Sequence, residues 1–118
     1  MSGVCFTADA TCRFYSTVLG MEVVSFGSAR RALAFGHQKI NLHQMGREYL
    51  PHAEHSMPGS ADLCFISAVP LASVLDHLNA CAVSIVDGPV ERTGATSKIR
   101  SVYIRDPDQN LIEISECI

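Results

Sequence analysis

No run of apolar residues in this chain reaches the roughly 18–20 that a membrane-crossing helix needs, so no membrane segment of that kind is expected. No excess of one charge stands out either. Nine Lys and Arg are set against twelve Asp and Glu, for a formal net charge of −3. The basic residues are scattered, which argues against nucleic acid as a partner. CxxC spacing is missing as well. Cys5, Cys12, Cys64, Cys81 and Cys117 are odd in number and sit among apolar neighbours, where Cys acts as a small hydrophobe. That usage suits a reduced, cytoplasmic protein. Met1 to Phe6 also lacks the basic start and long apolar stretch of a secretory signal.

What is present is the composition of an ordinary globule. With 118 residues, 47% hydrophobic and 18% charged, the expectation is one domain that buries its core without disulfides.

Val4-Cys5-Phe6 reads as a short strand. Thr7 and Asp9 are N-cap types, and a helix should run to about Leu19 with Phe14, Tyr15, Val18 and Leu19 as its apolar stripe. Gly20 is the expected stop. A strand follows over 21–26, then a hairpin of Arg30 to Phe35 and Lys39 to His43 around Gly36-His37. Residues 46–60, with Gly46, Pro51, Pro58 and Gly59, read as a linker in which His52 and His55 are solvated. Asp62 to Ile66 is a strand, and Pro70 opens a helix whose apolar positions are Leu71, Val74, Leu75 and Leu78. Cys81 to Val86 is expected as a strand and Gly88 to Lys98 as a polar loop. A hairpin ends the chain, with Asp106-Pro107-Asp108-Gln109-Asn110 as turn chemistry between Val102-Tyr103-Ile104 and Leu111-Ile112-Glu113-Ile114.

The two halves, about 1–45 and 61–118, thus repeat one order: strand, helix, strand, hairpin. Neither half can cover its own sheet face, so paired βαβββ modules are expected. Glu113 is the unusual residue of the last strand. Side chains alternate, so it faces away from Ile112 and Ile114 and shares its side with Leu111 and Ser115. Such a carboxylate either faces water or lines a site.

Paired βαβββ modules closing on Asp106-Pro107-Asp108-Gln109-Asn110-Leu111-Ile112-Glu113 resemble the glyoxalase, or vicinal oxygen chelate, superfamily. The blocks Leu19-Gly20-Met21-Glu22-Val23, Gln38-Lys39-Ile40-Asn41-Leu42-His43 and Gly88-Pro89-Val90-Glu91-Arg92-Thr93-Gly94-Ala95 are similar to the narrower glyoxalase domain-containing protein 5 group. The resemblance implies an α+β fold, a cup-shaped mixed β-sheet with helices outside, and a homodimer. It also implies a divalent metal (Zn, Ni, Mn or Fe) that chelates two neighbouring oxygens of a small substrate and acts as a Lewis acid.

Carried over by position, Glu113 matches the carboxylate ligand and is the first candidate for proton abstraction. Asp62 falls where many members have His. Asn41 aligns with Glu113. His43, two residues on and therefore on the same side, is the better donor of the two, and Asn41 is expected to touch substrate or orient a ligand. The family's first-strand histidine would precede Met1, and Cys5 is a weak substitute, so the first strand reads as shortened. Arg92 and Arg100 flank the Thr93-Gly94-Ala95-Thr96 stretch and could hold an anionic substrate group. Plainer roles stand beside these: a solvated Glu113, an Asp62 bound to water or backbone, a structural His43, arginines on a solvated loop, and His37 and His77 at the surface. Two functions follow. One is a metal-dependent lyase, isomerase or dioxygenase acting on a small vicinal-oxygen substrate. The other is a non-catalytic small-molecule-binding module, or an inactive form that lacks the first-strand ligand.

Overall fold

The computed structural model describes residues 2–6, 8–26, 30–44, 54, 57–59, 61–93 and 97–118. Its elements, in chain order, are β1 (Ser2–Phe6), α1 (Ala8–Val18), β2 (Glu22–Phe26), β3 (Arg30–Phe35), β4 (Gln38–Gln44), β5 (Asp62–Ile66), α2 (Leu71–Ala80), β6 (Asp87–Thr93), β7 (Lys98–Arg105) and β8 (Leu111–Cys117). The order is βαβββ twice over. The two four-stranded sheets have the same topology, β1-β4-β3-β2 and β5-β8-β7-β6, and in each the first strand runs parallel to the last. The result is a mixed α+β fold. The chain divides into two compact units: residues 1–61 with 106–110, and residues 62–105 with 111–118.

In the first unit, α1 buries Thr11, Cys12, Tyr15 and Val18. The stripe expected from apolar residues alone, with Phe14 and Leu19, is rotated, and both of these are only half-buried. The reason is polar: Thr11 and Tyr15 turn inward because their hydroxyls have carboxylate partners in the 106–110 turn. The helix stops as anticipated. Gly20 has φ +67°, and the Met21 N–H reaches back to Tyr15 O (3.1 Å), a closure that needs the left-handed conformation glycine adopts freely. An Arg31–Asp9 ion pair (3.0 Å) ties α1 to the sheet that also carries Leu33, Ile40 and Leu42, all buried. Thr7, the other N-cap candidate, and most of the 46–60 linker, including His52 and His55, lie outside the described residues.

In the second unit the sheet core is Val102, Ile104, Ile112 and Ile114, on one face of β7 and β8. The α2 helix lies on that face, since Glu116 Oε2 accepts the Leu71 N–H (2.8 Å) and Leu71 and Leu78 are buried. Pro70 is the residue before the helix, and its side chain makes no capping bond. Glu116 supplies that acceptor from β8.

The segment 81–93 differs from expectation. Cys81 to Val86 is not a strand: Cys81 caps α2, Ala82 takes φ +58°, and the Val83 N–H bonds Leu78 O (2.9 Å), so these residues close the helix. The strand is Asp87–Thr93, where a polar loop was expected. Its pairing with β7 shifts register between Asp87 and Val90, and Gly88 and Pro89 occupy that irregularity on an edge strand, where a missing N–H is tolerated.

Candidate functional site

The face of the second sheet away from α2 is where polar side chains gather. Register places Cys64 of β5, Glu113 of β8 and Tyr103 of β7 level with one another, with Ser115 and Ser101 paired one step along. On β7 and β8 these positions alternate with core residues, so the periodicity that buries Val102, Ile112 and Ile114 sends the polar set to the other side. Ser101 Oγ–H donates to Glu113 Oε2 (2.7 Å), and Ser115 Oγ–H lies 3.1 Å from the same oxygen. The two serine hydroxyls are 2.7 Å apart, and both residues are 0% exposed. Cys64 Sγ lies 3.8 Å from Ser115 Oγ.

Tyr103 and Arg92 complete the face. The Arg92 guanidinium carbon is 5.4 Å from the centre of the Tyr103 ring, and Arg92 also approaches Asp87 (3.9 Å). Burial, then the charge of Glu113, push the Tyr103 phenol above its ordinary pKa, with Arg92 pulling the other way. The phenol therefore stays protonated at neutral pH and is a donor. The Cys64 thiol is likewise raised, first by burial, while its bond to Ser115 opposes the shift. It is a neutral thiol, not a nucleophilic thiolate.

Of the other residues singled out by sequence, Asp62 shares the Glu113 face but is exposed and pairs with Leu111, one step away from the Cys64–Glu113 level. Arg92 is on the same face. Arg100 is on the opposite one, where it bonds Glu116 (3.2 Å) and Glu91 (3.5 Å), and so it is not brought to Glu113. Asn41 and His43 belong to the first unit, on the face of β4 away from α1. His43 is 4% exposed and Asn41 half-buried, with Ala32 buried beside Asn41 on β3. His37 and His77 are exposed.

Sequence reasoning overlooked Ser101 and Tyr103. A signal existed: a serine among β-branched residues at the position facing Ser115, which itself shares the side of Glu113.

The turn residues that carried the resemblance have another task. Asp106 Oδ1 accepts the N–H groups of Asp108 and Asn110 (2.9 Å each), and Oδ2 accepts Tyr15 Oη–H (2.7 Å) and Asn110 Nδ2–H (2.8 Å). Asn110 Oδ1 in turn accepts the Ala61 N–H (2.8 Å), and Thr11 Oγ1–H donates to Asp108 Oδ2 (3.0 Å). These are the bonds of a scaffold. Within Asp106–Glu113, Glu113 is the one side chain on the polar face described above whose chemistry suits a ligand.

The donors also decide how well this face suits the divalent metal implied by the resemblance. Glu113 is a hard oxygen donor of the right kind. Among the described residues, however, no three or more His, Cys, Asp or Glu side chains come together. The groups around Glu113 within its sheet are the Ser101 and Ser115 hydroxyls, the Tyr103 phenol and the neutral Cys64 thiol. They fit a hydrogen-bonding site, and no step is derived through a metal.

Comparison with known proteins agrees with this fold. Virulence protein STM3117 of Salmonella typhimurium is 56% identical over 110 residues, which is 93% of this chain and 76% of that protein. Glyoxalase domain-containing protein RDO1 of Mycosarcoma maydis is 53% identical over 111 residues, 94% of this chain and 62% of the relative's length. The crystal structure of STM3117 superposes with a TM-score of 0.94 at 50% identity, covering 100% of this chain and 96% of that one. At lower identity the fold alone is shared. A lactoylglutathione lyase from Agrobacterium tumefaciens has a TM-score of 0.70 at 21% identity, and TnmS3, an antibiotic binding protein from Streptomyces, 0.75 at 17%. Each covers 98% of this chain and 92% of its own. The family model of the Glyoxalase/Bleomycin resistance protein/Dioxygenase superfamily matches residues 4–114. Two βαβββ sheets, the Asp106-to-Glu113 stretch and a match along nearly the whole chain converge, and the chain belongs to that superfamily.

Proposed function

We propose that this glyoxalase-domain protein binds a small molecule with neighbouring oxygen atoms on the Glu113 face of its second sheet. The observation that carries the reading is the Glu113 carboxylate, held by two wholly buried serine hydroxyls at 2.7 and 3.1 Å and level with the Tyr103 phenol. Carboxylate and phenol form an acceptor and a donor on directly paired residues, whose Cβ atoms stand about 5 Å apart in such a pair. A hydroxyl beside a carbonyl matches that pair: Glu113 accepts from the hydroxyl and Tyr103 donates to the carbonyl oxygen. The lyase and the antibiotic binding protein among the structural neighbours show that this fold is used by proteins of both kinds.

The test is an amide-shift titration of the 15N-labelled protein with hydroxyacetone, glycolate and catechol. The expected result is saturable shifts at Glu113, Tyr103 and Ser101 with at least one probe, abolished in Glu113→Gln. Absence of saturable shifts at these residues with all three defeats the reading.

A metal-dependent lyase, isomerase or dioxygenase is the second reading, favoured by Glu113 and Asp62 lying on one sheet face. Zn, Ni, Mn or Fe would be the ion, and stoichiometric metal in the purified protein, lost in Glu113→Ala, would support it. A cytoplasmic setting is part of the proposal, supported by the free thiols of Cys12, Cys64, Cys81 and Cys117. Homodimer assembly is proposed from the family alone and is read by light scattering.

A further inference from the structure

Ser101 and Ser115 are unexpected where they stand. Both are interior positions of paired strands, and both are 0% exposed. Such positions are ordinarily valine or isoleucine, as their neighbours Val102 and Ile114 are. A buried hydroxyl left without a partner is destabilising, so a pair of them calls for a compensating acceptor. That acceptor is Glu113 Oε2.

Counting hydrogens gives the cluster a direction. Ser101 has one hydroxyl hydrogen, and the 2.7 Å contact to Glu113 uses it. In the 2.7 Å contact between the serines, Ser115 is then the donor, sharing its hydrogen between Ser101 Oγ and Glu113 Oε2. Cys64 Sγ lies at the edge of this cluster, 3.8 Å from Ser115 Oγ. Both serine hydroxyls thus point toward one carboxylate oxygen, and bonds aligned in this way polarise one another.

We infer that Ser101 and Ser115 are positioning residues: they anchor Glu113 through Oε2, so that a ligand is met by Oε1. The inference rests on the proposed binding role of Glu113 and adds how the chain prepares it. Neither serine touches the ligand. Their effect is to remove the side-chain freedom that Glu113 would otherwise lose on binding. A protein whose serines merely fill space would bind as well with alanine in their place.

The experiment uses the full chain with Ser101→Ala/Ser115→Ala, Ser115→Ala alone and Glu113→Gln, each checked for folding by its thermal transition. Two quantities are read: affinity for hydroxyacetone, glycolate and catechol, and the mobility of the Glu113 side chain from carbon relaxation. The expected result for the double variant is at least about tenfold weaker binding, the worth of one charge-assisted hydrogen bond, with a mobile Glu113 side chain. Ser115→Ala, which keeps the shorter Ser101 bond, should lose less, and it serves if the double variant does not fold. Wild-type affinity and an immobile Glu113 in folded alanine variants would overturn the inference while leaving the binding site standing. No binding by the wild type would remove the site itself, and the positioning role with it.

Discussion

Asp106 accepts four hydrogen bonds while 2% exposed, and two of its donors come from Asn110, one residue short of β8. Removing it leaves the Tyr15 hydroxyl and the Asn110 amide buried without their acceptor. Asp106→Ala should therefore cost about 3 kcal/mol or more, read as a lower urea midpoint at unchanged slope. Tyr15 gives a prediction with a pH signature. Burial first, then the Asp106 charge and hydrogen bond, raise its phenol well above the ordinary value of 10.0. The unfolded phenol loses its proton near pH 10 while the folded one keeps it. The stability from this group is thus whole below pH 10 and is lost as pH climbs from there toward the folded-state value. Tyr15→Phe should cost about 1.5–3 kcal/mol at pH 7 and flatten the alkaline fall in melting temperature. An equal fall in the variant would assign it to other groups. Residue identity made part of this legible. Asp106-Pro107-Asp108-Gln109-Asn110 announces a turn by its own chemistry, and Glu113 stands out as a charge between isoleucines. Tyr15 as the partner of Asp106 was not legible, because 91 residues of chain separate them and no local pattern encodes that distance. Glu113's serine partners were hidden for a similar reason. Which serine faces which depends on strand register, and a shift of one residue would send them to opposite faces.

At the scale of elements, α2 borrows its N-terminal acceptor from another strand. Glu116→Ala removes the bond to the Leu71 N–H and should cost about 1 kcal/mol, in the range of a lost cap. Glu116→Gln keeps an acceptor and should cost less, since the Arg100 pair it breaks is partly exposed. At the other end of the helix Ala82 holds φ +58°, a conformation that strains a residue with a Cβ. Ala82→Gly is accordingly expected to raise stability by roughly 1 kcal/mol, visible as a higher melting temperature. The same region shows why the sequence reading failed there. Cys81-Ala82-Val83 has the composition of a strand, but the helix needs those backbone groups for its own closure. Asp87–Thr93 has the composition of a loop, yet an edge strand pairs on one side only and accommodates Pro89 at its irregularity. Gly88 is the fixed point. Its φ is +94°, and a Cβ at this position would fall 2.5 Å from Ser101 O, so any larger residue displaces β6 from the strand that carries Ser101.

For the molecule as a whole, the repeated βαβββ order was legible because helix and strand periodicities recur in the same sequence in each half. The narrower likeness to the glyoxalase domain-containing protein 5 group rests on sequence blocks, and the relatives described bear on the superfamily. What periodicity did not reveal is how the chain is shared between units: it enters the second at Asp62, leaves at Arg105 and returns at Leu111, and residues 106–110 belong to the first. Neither unit is one continuous segment, so the two are expected to unfold together. Tyrosine fluorescence and far-ultraviolet circular dichroism should report coincident urea transitions, whereas two separated midpoints would show that each unit stands by itself. This sharing also has a consequence during synthesis. At about 5–20 residues per second, a ribosome that has just added Tyr15 needs roughly 5–18 s more to reach Asp106. Throughout that interval the nascent first unit waits for the acceptors of Thr11 and Tyr15, and its completion is timed by translation of the chain's far end.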